Sequence, residues 1–155
     1  MDPNEPLDLR VKALSATNNS DSKNFEAQRR EILLNNNSPD LQNVVIIGMV
    51  KSGSLESLQL VTTQLTRSSS YRLRESILHA LANVNHPLKT EACHKIFIGK
   101  NEPVELRLAC AEELRGTLNW KILGSFLEEL SNPDSRFRVA AIRGVVRFLR
   151  EKRLD

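Results

Sequence analysis

A repeat limits what this chain can fold into more than any other feature of it. Six-residue segments beginning at Leu9, Leu41, Leu73, Leu106 and Phe137 align without internal gaps, and their starts lie 32, 32, 33 and 31 residues apart. A period of this length marks a stacked array of supersecondary units, because one unit cannot bury its apolar face alone.

The phase of the repeat gives the secondary structure. Three columns are apolar in every copy. They are Leu9, Leu41, Leu73, Leu106 and Phe137; Ala13, Val45, Ile77, Cys110 and Ala141; and Leu14, Ile46, Leu78, Ala111 and Ile142. A fourth, Met49, Leu81, Leu114 and Val145, is broken only by Thr17. Offsets of about 0, 4, 5 and 8 fall on one helix face, whereas a strand needs a period of two. The column before the fourth holds Ala16, Gly48, Ala80 and Gly144, with Glu113 as the exception. Glycine inside a helix costs about 1 kcal/mol relative to alanine, so two in one phase point to close helix approach.

A second apolar series precedes each complete copy, with Leu33, Leu65, Ile98 and Leu130 seven or eight residues before the alignment start. Ser38-Pro39, Asn132-Pro133, Pro87 and Pro103 punctuate helix starts, and Gly53 and Gly99 fall in turns. Together these predict helices over 6–16, 23–35, 39–51, 54–66, 70–83, 87–98, 103–116, 120–131 and 134–152. The expected organisation is a tail at 1–5 and one repeat domain at 6–155. That domain comprises a half repeat (6–16) and hairpins over about 23–51, 54–83, 87–116 and 120–152, with a polar loop at Ser15–Ser22. The fold class is all-α, a right-handed α-solenoid of about four and a half hairpins whose second helices share a concave face.

The segments Leu106-Arg107-Leu108-Ala109-Cys110-Ala111-Glu112-Glu113-Leu114 and Phe137-Arg138-Val139-Ala140-Ala141-Ile142-Arg143-Gly144-Val145 resemble HEAT repeats. They are most similar to the short HEAT-like repeats typified by phycobilisome lyases, with their Val-Arg-x-x-Ala-Ala-x-Ala-Leu pattern. The likeness is fair from Leu73-Arg74 to Leu81 and weakest in the Leu41 copy, where Gln42 replaces the arginine. It covers about residues 6–150. The resemblance implies the architecture; the family hosts scaffolds, lyases, DNA-binding proteins and inhibitors.

Charge narrows the function classes. Net charge is +3, but residues 1–22 carry −2, residues 23–133 carry +1 and residues 134–155 carry +4. The excess is a local strip, not the domain-wide field of many nucleic-acid binders. No apolar run reaches the length of a membrane span. The N-terminus lacks a signal peptide's basic and apolar regions, and two cysteines make no disulfide framework, so the expected location is cytoplasmic.

The candidate chemistry is sparse. Arg10, Arg74, Arg107 and Arg138 form a column that reads either as an anion ladder or, preferred here, as bridges to a neighbouring repeat or helix end. Cys93, His94, His79 and His86 lack zinc-ligand spacing, and Cys110 sits in a core column, so no metal, cofactor or catalytic residue is expected. Glu112-Glu113 and Glu128-Glu129 read as solvated surface, and Trp120 as packing in the core or against the Leu130 hairpin. The last helix carries two apolar stripes, Phe137, Ala141, Val145 and Phe148 on one side and Val139, Ile142, Val146 and Leu149 on the other. The second is open to a partner or a symmetry mate.

The expected function is a non-catalytic protein-binding module: scaffold, adaptor or inhibitor. The residues opposite the core columns supply its partner-binding face, notably Ile47, Arg72, His79, Leu108, Arg136, Val139, Arg143 and Arg147. The partner is a protein with an acidic patch. Alternatives are nucleic-acid binding through the basic C-terminal half, and a bilin-lyase-type chaperone or lyase subunit. Arg29 and Arg30 are placed on a first helix away from this face.

Overall fold

The computed structural model describes residues 4–18, 24–36 and 38–152. Among the described residues there are nine helices and no strand. They are α1 (Leu7–Thr17), α2 (Asn24–Asn35), α3 (Pro39–Ser52), α4 (Leu55–Arg67), α5 (Tyr71–Leu81), α6 (Pro87–Ile98), α7 (Val104–Leu114), α8 (Trp120–Glu129) and α9 (Ser135–Lys152). Each end lies within two residues of its expected position. The tail and polar-loop expectations fall partly on residues 1–3 and 19–23, outside the described residues. No helix is long and apolar enough to cross a membrane among the described residues.

Local chemistry sets the boundaries. The side chains of Ser54, Ser70 and Asn119 accept hydrogen bonds from the backbone N–H groups of Ser57, Leu73 and Lys121, capping α4, α5 and α8. His86 caps α6 through Nδ1, which accepts from Leu88 N–H. Gly53 ends α3 at φ 63°, a left-handed turn that glycine enters without steric cost. Gly99 closes α6 with an ordinary negative φ, so the expected turn there is extended.

The chain forms two compact units, Met1–Val84 and Asn85–Asp155. In the first, α2 packs on α3, α4 on α5, and α3 contacts both α1 and α5. Leu41, Val45, Ile46, Val61, Leu65 and Ile77 are its buried centre. In the second, α6 packs on α7, α8 on α9, and α7 on α9. Its core gathers Cys93, Ile96, Leu106, Cys110, Phe137 and Ala141 around the Phe97 and Phe126 rings, whose centroids are 5.1 Å apart.

The apolar columns are buried in the middle copies and fail at both ends. Leu9 is 50% exposed and Ala13 is exposed, because no described first helix pairs with α1; Leu14 alone of its apolar residues is buried. Ile142 is 52% exposed, whereas Ala111, at the same phase in α7, is buried. Leu33 and Leu65 are buried, but Ile98 and Leu130 are exposed, and Phe97 fills the position expected for Ile98.

The glycine column has its packing reason. A Cβ on Gly144 would lie 2.7 Å from the buried Phe126 ring, and one on Gly48 would collide with Asn18 Oδ1. Asn18 is itself held there, since its Nδ2 donates to Val44 O at 3.0 Å.

Candidate functional site

Outside the core phase, the second helices present the residues the repeat assigned to the surface. Ile47, Arg72, His79, Arg136, Val139, Arg143 and Arg147 are exposed; Leu108 is half-buried. In the first unit, Arg72 and Asn43 line a shallow groove of about 160 Å³ between α3 and α5. Ile47 and His79 face outward from the same two helices without lining it.

The second unit brings the rest together. Leu108, Glu112, Arg136, Val139, Ala140 and Arg143 line a groove of about 340 Å³ between α7 and α9. A larger cleft of about 510 Å³ adjoins it, bounded by Arg115, Val146, Arg147 and Arg150, with Glu112 and Arg143 common to both. The floor is aliphatic and the rim carries guanidinium groups. An α-helical scaffold holds these groups in fixed register.

The rim is less positive than the sequence suggests. Arg136 Nη2 lies 2.8 Å from Asp134 Oδ2, and Arg136 Nη1 lies 3.6 Å from Glu105 Oε1. Hydrogen bonds from the Arg136 side chain and backbone hold Asp134 below the ordinary carboxylate range, and Asp134 in turn raises Arg136. Arg143 lies 3.5 Å from Glu112, and Arg147 pairs with Glu151 one turn on. All these groups are exposed or partly exposed, so the pairs weaken with salt and add little to stability. Among the described residues, Arg150 has no carboxylate partner.

The arginine column is structural in three of its four members. Arg74 Nε donates to Leu65 O at 2.7 Å, Arg107 Nε to Phe97 O at 2.8 Å, and Arg138 Nη1 to Asn132 O at 2.7 Å. Each reaches the last turn of the preceding first helix or the turn after it, where helical carbonyls lack intrahelical donors. Gln42 keeps the role despite breaking the pattern, since its Nε2 donates to Asn36 O at 2.7 Å. Arg10, with no described first helix before α1, has no such carbonyl among the described residues, and its Nε is buried without a partner.

Several charged groups are interior ties, among them Glu113 and Glu129, expected on solvated surface. Arg29, placed with Arg30 on a first helix away from the partner-binding face, is buried, and its Nη2 donates to Thr17 O at 2.7 Å; Arg30 is exposed. Lys89 is buried against Glu113 at 2.6 Å. Glu129 receives Arg107 Nη2 at 3.1 Å, and the Arg107 guanidinium sits 4.2 Å over the Phe137 ring. The sequence carried traces of these pairs. Lys89 shares the phase of Ala92, Cys93 and Ile96, Arg29 that of Phe25 and Leu33, and Glu113 is the break in the small-residue column. Trp120, expected in the core or against the Leu130 hairpin, is 70% exposed, and its ring meets Phe148 of α9 edge-on at 4.9 Å.

His94 Nε2 lies 2.8 Å from Ser125 Oγ, which is within a nucleophile-to-base distance. Burial, and to a lesser degree the charge of Lys121, lowers the imidazole below its ordinary pKa. Ser125 Oγ also lies 3.3 Å from the Lys121 carbonyl, so this pair ties α6 to α8. Among the described residues, no three His, Cys, Asp or Glu side chains are arranged to hold a metal ion. Cys93 and Cys110 are buried free thiols.

No family model matches this chain, and no curated protein matches it either.

Proposed function

We propose that this chain is a HEAT-like α-solenoid acting in the cytoplasm as a non-catalytic protein-binding module: a scaffold, adaptor or inhibitor. The outward faces of its second helices carry the binding surface, and the α7–α9 groove is its most localised part. One observation carries this reading: five of the eight residues chosen by repeat phase, Leu108, Arg136, Val139, Arg143 and Arg147, line an adjoining pair of clefts with an aliphatic floor and an arginine rim. Such a surface suits a partner offering carboxylates around an apolar contact. The rim charges steer the encounter, and the floor excludes water once docked.

The test is charge reversal with the partner recovered by affinity capture of the native protein and mass spectrometry. Arg143→Glu with Arg147→Glu is expected to weaken that complex by at least about tenfold, roughly 1.4 kcal/mol, with helix content unchanged. Arg30→Glu with Arg67→Glu, both exposed on first helices, is the control. Equal loss from both pairs would make the effect one of general charge. No loss from the groove pair would remove the groove from the interface.

Nucleic-acid binding through the C-terminal half is the alternative. It is less favoured because Asp134, Glu112 and Glu151 already pair with the arginines a phosphate backbone would need. A bilin-lyase-type role rests on the repeat resemblance alone.

A further inference from the structure

The wider of the two clefts in the second unit differs from the groove beside it in what lines it. Arg115, at the end of α7, and Arg143, Arg147 and Arg150 of α9 face it against one carboxylate, Glu112, so the lining carries a net charge of +3. Val146 is its single aliphatic side chain, and no aromatic ring borders it among the described residues. The aliphatic floor lies in the adjoining groove, with Leu108, Val139 and Ala140. The wider cleft therefore has little to hold a nucleobase, a sugar ring or a hydrocarbon, and much to hold an anion.

The chain itself places one anion there. Glu112 Oε2 lies 3.0 Å from Arg115 Nη1 and Glu112 Oε1 lies 3.5 Å from Arg143 Nη1, so a single carboxylate bridges guanidiniums from the α7 and α9 sides. It leaves most of their donors free, because a guanidinium carries several N–H groups and each contact uses one nitrogen. Arg147 and Arg150 follow Arg143 at four and seven residues, on the same face of α9. Arg147 meets Glu151 through Nη2 alone, and Arg150 has no carboxylate partner among the described residues. A carboxylate offers two oxygens and one charge. A phosphomonoester offers three free oxygens and a charge of about −1.5 to −2 at about pH 7, which matches a surplus of forked donors better.

We infer that this cleft takes a phosphorylated serine or threonine side chain of the protein partner. The inference rests on the protein-binding reading above and narrows the partner to one whose binding is switched by phosphorylation. One dianion at one place has to move only Glu112, whereas a duplex needs a separate phosphate at each arginine along α9. The neighbouring groove supplies the second anchor. Val139 and Val146 are seven residues apart, about 10 Å along α9, a distance that an extended peptide spans in about three residues. A leucine three residues from the phosphorylated one therefore reaches the Leu108 and Val139 floor while the phosphate lies among the guanidiniums.

A fluorescently labelled peptide, Leu-Gly-Gly-phosphoserine-Gly-Gly-Leu, reads the site by anisotropy on the full chain. It should bind at least about tenfold more tightly than the same peptide with serine, and at least about threefold more tightly than with glutamate. Arg150→Gln removes a guanidinium that no ion pair of the fold uses, and should weaken the phosphopeptide at least about fivefold while leaving the serine peptide unchanged. Glu112→Gln should tighten the phosphopeptide at least about threefold by clearing the bridged place. Circular dichroism checks that both variants keep the helices. Equal affinity for the phosphoserine and glutamate peptides overturns the inference, as does a phosphopeptide affinity that neither variant changes. Phosphatase treatment of the partner captured by the native protein separates the inference from the reading it rests on, and should weaken that complex at least about tenfold. A complex that survives phosphatase but falls with Arg143→Glu and Arg147→Glu keeps the protein-binding reading and overturns the phosphate. Vesicles of about one-third phosphatidic acid, bound at least about tenfold more tightly than the phosphopeptide, also overturn it and assign the arginines to a lipid phosphate.

Discussion

Arg107 shows how far one side chain's role depends on where its repeat sits. Its guanidinium serves the Phe97 carbonyl, the Glu129 carboxylate and the Phe137 ring while 7% exposed. Arg138, at the same phase one repeat later, serves two turn carbonyls from a more open position. Removing Arg107 leaves a helix-end carbonyl unserved and the Glu129 carboxylate with Asn132 as its remaining partner, so Arg107→Ala should cost about 2–4 kcal/mol, and Arg138→Ala about 0.5–1.5 kcal/mol. Arg107→Lys should recover little, since an ammonium cannot reach all three partners in a planar fork. Urea unfolding of the three variants measures this, and equal costs at 107 and 138 would contradict it. The glycines give a second comparison. A Cβ at Gly124, inside α8, meets nothing within 4 Å, whereas one at Gly144 meets the Phe126 ring at 2.7 Å. Gly124→Ala should therefore stabilise by about 0.5–1 kcal/mol through helix propensity. Gly144→Ala should destabilise by about 1–3 kcal/mol, because overpacking outweighs the same propensity gain. Thermal melts that move in the same direction would refute the packing account of the glycine column.

At the scale of elements, the period made the nine helices legible because every middle hairpin repeats one burial pattern. It did not make the ends legible. Leu9 and Ile142 obey the same spacing as Leu41 and Ala111, and spacing carries no information about whether a further helix lies alongside. The interior ties were hidden for another reason: Lys89, Arg29 and Glu113 are charged residues in buried phases, and pattern reading sends charge to the surface. The groove residues were readable, since outward phase follows directly from inward phase. Their carboxylate partners were less so, because Glu105 and Glu112 reach α9 across the α7–α9 packing rather than along the chain. The α6–α8 tie makes a further prediction. Because folding lowers the His94 pKa, the unfolded chain takes up that proton at higher pH than the folded one. The stability linked to neutral His94 is thus fully present above about pH 6.5. It is lost as pH falls through the folded-state value, at no more than about 1.4 kcal/mol per pH unit. Chemical denaturation between pH 7.5 and pH 5, as approximate limits bracketing the free imidazole value, should show wild type losing stability relative to His94→Gln. Parallel profiles would mean that His94 is no more protected from protonation in the fold than out of it.

Across the whole molecule, the charge distribution separates the two binding readings. Net charge is +3, and the C-terminal 22 residues carry +4 by sequence. Counted as a strip of arginines, that segment looks suited to a phosphate backbone. The structure divides it differently. Arg136, Arg143 and Arg147 each have a carboxylate within 3.6 Å, and Arg138 is bonded to two backbone carbonyls. A phosphate has to displace a carboxylate at each of the first three positions, which offsets most of the gain from releasing counterions. A protein partner faces less of this cost, because its carboxylates can share a guanidinium fork while its apolar groups take the Leu108 and Val139 floor. Nonspecific duplex DNA should therefore bind with Kd above about 100 µM at about 0.15 M salt, and with a log–log salt slope shallower than about −3. Glu112→Gln is the sharper probe, because it frees Arg143 and Arg115 without adding a cation. If displacement limits DNA binding, this variant should bind DNA at least about threefold more tightly and gain up to about two units of slope. Fluorescence anisotropy titrations across a salt series measure both quantities. Wild-type binding below about 1 µM with a slope steeper than about −5 would place the arginines on phosphates and make nucleic acid the favoured partner.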